Sequence, residues 1–477
     1  MERRRFLGWL VAAPTLVVAA ELGGSVLDAH RAGASVLSLP QPSDILDLTD
    51  VLTDATLPTA NLITVVVNVD GTASFAMPRT ESGQGISTST AMLIAEELDL
   101  PVDKVIVTLA DARPELLFNQ ATFGSNTTLS TYTPFRVAAA LARKQLLQAA
   151  AIELGNTITN LTTQLGHVLS TSGARLSYGS LATKAAATTT TRASVTLKPT
   201  SQFTVIGKPQ RRTDALDAVT GRKQYTLDHD VPDALPTMIC RPPTINGTVK
   251  SVQNLAQVKA MPGITDVVAI STGVAVRGQT FGQCIDAVRA LKVTWADGPV
   301  GHKSDADILA ELHKNEVPLA VPAVSPLAKT IDLAFTFSFA SNSPLETGTA
   351  IADVRAKSAE VWACLKAPIV AQQAIADRVG MPLEAVTVHV VQGGGSFGRH
   401  LFHDTALEAA EISKKMRKPV KLMWHRTDDF RQGRVHPMAT SRIRVTVQCD
   451  NVLTYEQRHT SVSTDAGDWF GDLVSSF

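Results

Sequence analysis

A glycine-rich run toward the end of the sequence has the residue types that bind phosphate groups. It reads Gly393-Gly394-Gly395-Ser396-Phe397-Gly398 and lies between a predicted strand and a predicted helix. Glycines let backbone N–H groups approach an anion closely, most effectively at the N-terminus of a helix. The run matches the dinucleotide-binding fingerprint G-x-G-x-x-G. It does not match a P-loop, because Arg399 and His400 stand where Lys and Ser or Thr are required.

The residues of this run leave two interpretations open. An NAD(P)-dependent dehydrogenase needs a residue that binds the ribose or its phosphate after the next strand, and Arg426 follows the predicted strand 420–424. No second half of a doubly wound fold follows the run, however. The alternative is a glycine turn with a purely structural role.

Two more loops share the chemical character of the glycine run. They read Thr80-Glu81-Ser82-Gly83-Gln84-Gly85 and Thr122-Phe123-Gly124-Ser125-Asn126-Thr127-Thr128. Each alone could be an ordinary polar turn, with the Gln84 amide in solvent. Together the three loops offer backbone N–H groups, amides and hydroxyls, which suggests one large polar ligand bound through hydrogen bonds, such as a phosphate group or a pterin.

Regular elements are predicted beside the first of these loops. Apolar alternation over 63–69, followed by Asp70-Gly71, predicts a β-hairpin before it. The Ser/Thr cluster 87–90 predicts a side-chain cap for a helix that ends near Leu98. A strand is expected over 105–109.

The rest of the chain alternates strands, helices and one linker. Thr133-Pro134 predicts the start of a long helix that ends near Gly155. The low-complexity segment 185–201 is typical of a linker. Further strands are predicted over 333–339, 350–354, 359–365, 386–391 and 420–424, and further helices over 369–379 and 402–416.

The composition excludes several classes of protein. The 477 residues are 44% hydrophobic and 18% charged, as in globular multi-domain proteins, and the formal net charge is zero. Nucleic acid is not expected as a partner, because that affinity depends on neutralising phosphates. The four cysteines, Cys240, Cys284, Cys364 and Cys449, are widely spaced, which favours buried small hydrophobic residues over zinc or iron–sulfur ligands.

The N-terminus has the pattern of an export signal. Arg3-Arg4-Arg5-Phe6-Leu7 precedes a short apolar stretch from Trp9 to Leu22 that contains Pro14. The pattern R-R-x-F-L resembles the twin-arginine signal, which exports proteins already folded. We therefore expect export to the periplasm. An uncleaved membrane anchor is the alternative, although the stretch is short for a spanning helix.

Taken together, the loops resemble the molybdopterin-binding subunits of the xanthine dehydrogenase and aldehyde oxidase family, in the branch that includes isoquinoline oxidoreductase large subunits. The segment from Asp70-Gly71 to Gly85 is similar to the family's D-G…T-E-M-G-Q-G element, with Ser82 where Met is usual. Residues 121–128 stand where the family has its pterin loop, and residues 392–399 resemble its G-G-G-F-G loop.

The order of the other motifs extends the resemblance over about residues 60–477. Those motifs are Gln224-Tyr225 to Pro243, Ala260 to Gly263, Leu345-Glu346-Thr347, Val361-Trp362 and Arg434 to Pro437. The resemblance implies an α+β fold with four parts. They are 1–36, the twin-arginine signal and leader; 37–200, an N-terminal piece of the molybdopterin-binding domain plus a linker; 201–300, an a/b hammerhead domain; and 301–477, a truncated molybdopterin-binding domain.

The resemblance also implies a cofactor and partners. The cofactor would be molybdenum held by a molybdopterin, as the cytosine dinucleotide in this branch, so that the metal's ligands come from the cofactor. The reaction would hydroxylate an aldehyde or N-heterocycle with oxygen from water, and electrons would pass to a two-iron two-sulfur small subunit and on to a cytochrome c. The partners would thus be these proteins and a small-molecule substrate.

Individual residues take roles only through this resemblance. The cofactor's pyrophosphate–pterin region would be contacted by Gly83, Gln84 and Gly85. The pterin would be contacted by Gly124, Ser125, Asn126 and Thr127. Gly394, Gly395 and Ser396 would support the same cradle, and Phe397 and Gly398 would lie beside the metal's oxo group.

The sequence departs from the family in two places. Lys366 stands where the family often has a Gln near the metal. Relatives continue beyond the position of Phe477 into a segment with the Glu base, so the resemblance implies a C-terminally incomplete chain and no nameable base, although Glu81 and Glu346 are acidic candidates. A non-catalytic fragment that binds cofactor or partner is therefore an alternative to the enzyme.

Overall fold

The computed structural model describes residues 16–19, 64–114, 116, 120–186, 195–320 and 327–462. Within these ranges the α-helices are α1 Ile86–Leu98, α2 Asn126–Leu154, α3 Tyr178–Ala186, α4 Ala215–Val219, α5 Leu255–Lys259, α6 Phe281–Ala290, α7 Asp305–Lys314, α8 Pro368–Val379, α9 Asp404–Met416 and α10 Arg426–Arg431. The strands up to residue 296 are β1 Leu16–Ala19, β2 Thr64–Val67, β3 Ala73–Met77, β4 Val105–Leu109, β5 Leu161–Gln164, β6 His167–Ser170, β7 Arg175–Ser177, β8 Leu235–Cys240, β9 Thr248–Val252, β10 Ile264–Ile270, β11 Gly273–Gly278 and β12 Val293–Ala296. The later strands are β13 Lys329–Phe337, β14 Ala340–Ser341, β15 Thr349–Val354, β16 Ala359–Ala363, β17 Val386–Val390, β18 Val420–Met423, β19 Val435–His436, β20 Ala439–Gln448 and β21 Asn451–Ser461.

The fold is α+β, and its contacts divide the chain into two compact units. Unit 1 consists of Met1–Ala234 and Thr349–Pro419, and unit 2 of Leu235–Gly348 and Val420–Phe477. The domain boundaries expected after residues 36, 200 and 300 remain predictions.

The first sheet of unit 1 supports the loop that begins at Thr80. It has the order β1-β2-β3-β4, in which the first two pairings are antiparallel and β3 runs parallel to β4. α1 and α2 pack against each other, and apolar residues of both helices share one core with the sheet. The rings of Phe75 and Phe135 meet edge to face at 4.8 Å within that core. The predicted hairpin and the strand 105–109 are confirmed.

Two predicted helix starts are corrected by the structure. Gly85, not the Ser/Thr cluster, occupies the N-cap of α1, and no side chain caps that helix. α2 begins at Asn126, so Pro134 lies inside it rather than at its first turn. Proline costs a helix one N–H donor and crowds the preceding turn, but tertiary packing overrides such local preferences. Pro134 is itself buried in the packed structure.

The predicted linker 185–201 is also wrong in part. α3 extends to Ala186, residues 187–194 lie outside the described part of the chain, and the next segment is held in place. Within this segment the carbonyl of Lys198 accepts from Nη2 of Arg136 at 2.7 Å, and its ammonium lies 3.5 Å from the buried carboxylate of Glu96. The low-complexity sequence gives no sign of this attachment, because the attachment depends on a buried carboxylate far away in sequence.

The second sheet region of unit 1 supports the glycine-rich loop. β15 pairs antiparallel with β16, and β16 pairs parallel with β17. α8 provides the crossover from β16 to β17 and packs on β17, whereas α9 packs on β15. The strands and helices predicted here are confirmed with small changes at their ends.

Unit 2 is built from antiparallel pairs and short helices. β10, β11 and β8 pair antiparallel in that order, and β18 adds to β8 in parallel. β12 pairs with β9, and β20 lies between β13 and β21. α6 begins with a capping box, in which Thr280 and Gln283 exchange side-chain to backbone hydrogen bonds of 3.2 and 3.1 Å. The hammerhead assignment of 201–300 stays a prediction.

The remaining sequence expectations concern the N-terminus and the cysteines. The export signal lies outside the described residues except for β1. Among the helices that the structure describes, none has the length and hydropathy required to cross a bilayer. Cys284 and Cys364 are buried as expected, whereas Cys240 is half-buried and Cys449 is exposed.

Candidate functional site

The glycine-rich loop is fixed at its start by close packing in unit 1. The N–H of Val391 donates to the carbonyl of Ala363 at 3.1 Å, and the N–H of Gly393 donates to the carbonyl of Glu81 at 3.0 Å. A Cβ atom at Gly393 would lie 2.3 Å from Sγ of Cys364, so this position accepts only glycine without a backbone shift. The glycine-rich loop and the loop at residues 80–85 are thus in direct contact.

The rest of the glycine-rich loop has an unusual backbone. Gly395 and Gly398 have φ values of 116° and 93°, and Phe397, which is not glycine, has φ 50°. A bulky residue rarely adopts this conformation, and such strain is concentrated at binding sites. The Phe397 side chain is 70% exposed, whereas Ser396 is buried and its Oγ accepts from the N–H of His400 at 3.3 Å. The loop therefore presents the exposed ring of Phe397 next to a buried, hydrogen-bonded serine.

The loop at residues 80–85 uses its own N–H groups internally. The carboxylate of Glu81 is fully buried and accepts from the N–H groups of Gly83, Gly85 and Ser87 at 2.8, 3.0 and 3.0 Å. It occupies the anion position at the N-terminus of α1. The expectation that these glycines offer N–H donors to a ligand is therefore corrected.

The side chain of Gln84 is exposed and helps to close the same loop. Its Oε1 accepts from the N–H of Ser82 at 2.7 Å, and its Nε2 donates to the carbonyl of Thr80 at 2.7 Å. Its second amide hydrogen and the bare surface of Gly83, which faces open space, remain to meet a ligand.

Arg212 is bound beside this loop. Its Nη1 donates to the carbonyl of Gly83 at 2.8 Å, and its Nε and Nη2 donate to Asp214 at 2.9 and 2.8 Å. Arg212 also lies 3.7 Å from Glu81, and Lys223 contacts Asp214 at 2.6 Å. Hydrogen bonds from Arg212, opposed by burial and joined by those from Lys223, hold the pKa of the Asp214 carboxyl far below its usual value. No motif in the sequence indicates this cluster.

The loop at residues 122–128 leads into the N-terminus of α2. Gly124 has φ 56°, is exposed, and a Cβ atom there would meet nothing within 4 Å. Ser125 is the N-cap with φ 57°, and neither a side-chain cap nor an acidic residue occupies the first turn. The Thr127 carbonyl accepts from the hydroxyls of Ser130 and Thr131. The Asn126 side chain lies outside what the structure describes, so its role stays a prediction.

One segment holds all three loops together. Residues 364–366 follow β16, and we call them the hub. The carbonyl of Leu365 accepts from Oγ1 of Thr80 at 2.5 Å, and the carbonyl of Lys366 accepts from the N–H of Thr122 at 2.8 Å. The N–H of Lys366 donates to the carbonyl of His400 at 2.9 Å.

Two further hydrogen bonds close the arrangement around the hub. The N–H of Thr80 donates to Oγ1 of Thr122 at 3.0 Å, and Nδ1 of His400 lies 3.0 Å from the carbonyl of Cys364. The three loops predicted from sequence therefore meet at one place. The residues that join them could not be found from sequence, since Thr80 and Leu365 are 285 positions apart.

The polar atoms beside the hub are not all paired. Oε1 of Gln392 and Nε2 of His400 are buried and have no hydrogen-bond partner in the described ranges. Burial, assisted by the positive charges of Arg399 and Lys366, lowers the pKa of His400 to about 4. The imidazole is therefore neutral at pH 7, and because Nδ1 faces a carbonyl, Nε2 is an acceptor that lacks a donor.

Neither acidic candidate is placed as a general base. The Glu81 carboxylate is saturated by N–H groups of its own loop. Glu346 is half-buried and belongs to unit 2. Across the part of the chain that is described, no group of three or more His, Cys, Asp or Glu side chains is arranged to hold a metal ion.

The dinucleotide interpretation of the glycine-rich loop is not supported by its geometry. The fingerprint requires the glycines to open a helix directly, but a 3-10 turn, Arg399–Leu401, separates Gly398 from α9. The sheet beside it also contains the antiparallel strand β15, unlike a doubly wound parallel sheet. The alternative of an NAD(P)-dependent dehydrogenase is therefore rejected.

Comparison with known proteins matches both ends of the described chain to one family of cofactor-binding domains. The family described as "Molybdopterin cofactor-binding domain" matches residues 38–225 and, in a second model, residues 307–472. The beta subunit of isoquinoline 1-oxidoreductase of Brevundimonas diminuta is 28% identical, covering 86% of this chain and 62% of that protein. A nicotinate dehydrogenase subunit of Pseudomonas putida is 25% identical, covering 76% of this chain and 32% of that protein.

Another relative and one solved structure extend the comparison. A protein of Gluconacetobacter polyoxogenes named membrane-bound aldehyde dehydrogenase (pyrroloquinoline-quinone) is 28% identical, covering 81% of this chain and 53% of that protein. The aldehyde oxidoreductase of Desulfovibrio gigas aligns with a TM-score of 0.43 at 12% identity, covering 93% of this chain and 54% of that one. The chain thus spans less than two thirds of the length of these relatives. On the two domain matches and the sequence relatives, the chain belongs to the xanthine dehydrogenase family of molybdopterin-binding subunits.

Proposed function

We propose that this chain is the molybdenum-bearing subunit of a hydroxylase that oxidises an aldehyde or N-heterocycle with water as the oxygen donor. The observation that carries the proposal is the hub at 364–366, to which all three polar loops are hydrogen-bonded. The two molybdopterin-binding domain matches support the cofactor, and the names of an isoquinoline oxidoreductase subunit, a nicotinate dehydrogenase subunit and an aldehyde dehydrogenase support the substrate class.

The residues around the hub fit a ligand that brings its own metal. The loops supply amides, hydroxyls and bare glycine backbone, and Gly83 and Gly124 both face open space. The uncapped N-terminus of α2 suits a phosphate group, and the unpaired acceptors of Gln392 and His400 suit N–H groups of a pterin. This donor set matches a phosphorylated pterin better than a bare metal ion.

Each residue would have a limited task in the reaction. When bound, the molybdenum pterin supplies the two-electron redox centre of the hydroxylation. Gly124 and the first turn of α2, for which the resemblance implies contacts to the pterin, would also hold its phosphate, because no acidic residue or side-chain cap occupies that turn. Phe397 offers a ring against which a planar substrate can stack. His400 stays neutral, and its Nε2 would accept a hydrogen bond from an N–H group of the cofactor. The buried Glu81 keeps the first loop in shape.

We further propose the dinucleotide form of the cofactor and two protein partners. The cofactor would be the molybdopterin cytosine dinucleotide, and electrons would leave to a two-iron two-sulfur small subunit and then to a cytochrome c. Two relatives are named as single subunits, one of an isoquinoline oxidoreductase and one of a nicotinate dehydrogenase, which supports the view that such proteins act in complexes.

We also propose that the protein is exported to the periplasm by the twin-arginine route and remains associated with the membrane there. The support is the pattern Arg3-Arg4-Arg5-Phe6-Leu7 at the N-terminus. Export of a folded protein is consistent with a cofactor that is inserted before translocation.

A second candidate is a cofactor-binding module without turnover of its own. One observation favours it. The Glu81 carboxylate already accepts three backbone N–H groups of its own loop, so it is not available as a base. Such a module would hold the cofactor but would release no oxidised product.

Analysis of the purified protein tests the proposal. Elemental analysis should find close to one molybdenum per chain, and acid hydrolysis should release a pterin together with cytidine monophosphate. Turnover of an N-heterocycle in water labelled with oxygen-18 should place the label in the product. Absence of both molybdenum and pterin would refute the proposal, whereas cofactor without turnover would favour the module.

A further inference from the structure

Lys366 is the cationic residue of the hub, and its backbone is held on both sides. Its carbonyl accepts from the N–H of Thr122, and its N–H donates to the carbonyl of His400. The start of its side chain is therefore fixed relative to two of the three loops.

The ammonium group of Lys366 forms no ion pair with any residue that the structure describes. It is half-buried, and in the described ranges it has neither a hydrogen-bond acceptor nor a carboxylate partner. Asp404, at the start of α9, pairs with Arg399 at 2.9 Å, and Glu81, in the loop bonded to the hub, accepts from the N–H groups of its own loop. Burial lowers the pKa of Lys366, as expected for an ammonium without a counterion.

The residues that adjoin the Lys366 backbone add no net negative charge, since Arg399 is balanced by Asp404. Arg399 is buried beside His400, whose carbonyl binds the Lys366 N–H, and the His400 imidazole is neutral and offers no negative charge. An unpaired, partly buried charge is costly, and an anionic ligand would relieve that cost. The phosphate of the cofactor has another place at the N-terminus of α2, which carries no acidic residue in its first turn.

We propose that Lys366 binds the carboxylate of an aromatic acid, so that the site prefers anionic substrates to their neutral analogues. This inference rests on the function proposed above. The exposed ring of Phe397, three residues before His400 in the same loop, would stack on the planar part of such a substrate. The ammonium of Lys366 would then pair with its carboxylate through a charge-assisted hydrogen bond.

Calorimetric titration of the purified holoprotein with pyridine-3-carboxylate and pyridine-3-carboxamide tests this directly. The two probes have similar shapes and differ in charge. Wild type should bind the acid at least about tenfold more tightly than the amide, and Lys366→Gln should abolish this preference. Lys366→Arg should restore it, and Lys104→Gln, at an exposed lysine, should leave it unchanged.

Three results would overturn the inference. They are equal affinities for both probes in wild type, an unchanged preference in Lys366→Gln, and a loss of molybdenum and pterin from a folded Lys366→Gln protein. The last result would assign the ammonium to the cofactor's phosphate instead. Because titration needs no turnover, failure of the proposed function would be visible separately, in the molybdenum content of wild type and in its turnover of an N-heterocycle.

Discussion

The carboxylate of Glu81 is the residue on which the shape of the first loop depends. It is completely buried and accepts three backbone N–H groups, from Gly83, Gly85 and Ser87. An ionised carboxylate is suited to this task, because it offers only acceptors and because α1 presents its N-terminus to it. The same residue type that suggested a catalytic role in the sequence thus has a structural one.

Replacement of Glu81 by Gln should therefore destabilise the protein. The amide keeps the shape but turns an NH2 group toward backbone N–H donors, which leaves buried groups unsatisfied. We expect the free energy of unfolding in urea to fall by about 1–3 kcal/mol. Glu384→Gln, at an exposed glutamate, should change it by less than about 0.5 kcal/mol. Equal stability of the two variants would contradict this role of Glu81.

The segment at 204–206 shows how one helix holds a distant stretch of chain. Glu96 in α1 accepts from the N–H groups of Thr204, Val205 and Ile206, and Lys198 lies 3.5 Å from the same carboxylate. Burial opposes the ionised form of Glu96, but these hydrogen bonds outweigh it, so the pKa of Glu96 lies below its usual 4.5. The attachment therefore requires the ionised side chain.

Acid should weaken this attachment in a defined pH range. Because the pKa of Glu96 is lower in the folded than in the unfolded protein, its contribution to stability is complete above about pH 4.5 and is lost as the pH falls through the folded value. In urea unfolding, wild type should exceed Glu96→Gln by about 1–3 kcal/mol at pH 7, and the difference should shrink below pH 4.5. Asp103→Asn, at an exposed site, should show no such difference. A difference that stays constant down to about pH 3 would refute the assignment.

Elements with local signals could be predicted from the sequence, whereas their junctions could not. The hairpin around Asp70-Gly71 and the end of α2 at Gly155 follow from turn and cap residues that act within a few positions. The start of α2 was misplaced because Pro134 is a strong local signal that packing overrode. The three loops were recognised by composition, but the hub that joins them depends on bonds between residues hundreds of positions apart.

The molecule as a whole consists of two compact units, and the proposed export signal precedes the loops that meet at the hub in the sequence of unit 1. The arginine pair precedes the described core, and the loops that meet at the hub all belong to unit 1. Cofactor binding and export are thus assigned to separate parts of the chain. They can be tested independently.

Replacing Arg3 and Arg4 together with lysine should block export. The twin-arginine pathway requires the arginine pair, and it is the route that accepts folded, cofactor-loaded proteins. Fractionation should find the double variant in the cytoplasm, while Arg5→Lys, at the variable position of the motif, should reach the periplasm. If the double variant were found in the periplasm, that result would contradict the proposed route.

The metal content of two glycine variants tests most directly whether the three loops around the hub hold one molybdenum pterin. Gly124 and Gly155 flank the two ends of α2, share a φ of 56° and face open space, so Asn, which tolerates this conformation, has a similar backbone cost at either site. Only Gly124 lies in a loop joined to the hub. Molybdenum per folded chain should fall at least about tenfold in Gly124→Asn, as expected for a blocked first-turn contact, and stay at the wild-type level in Gly155→Asn. Full molybdenum occupancy in Gly124→Asn would contradict the account.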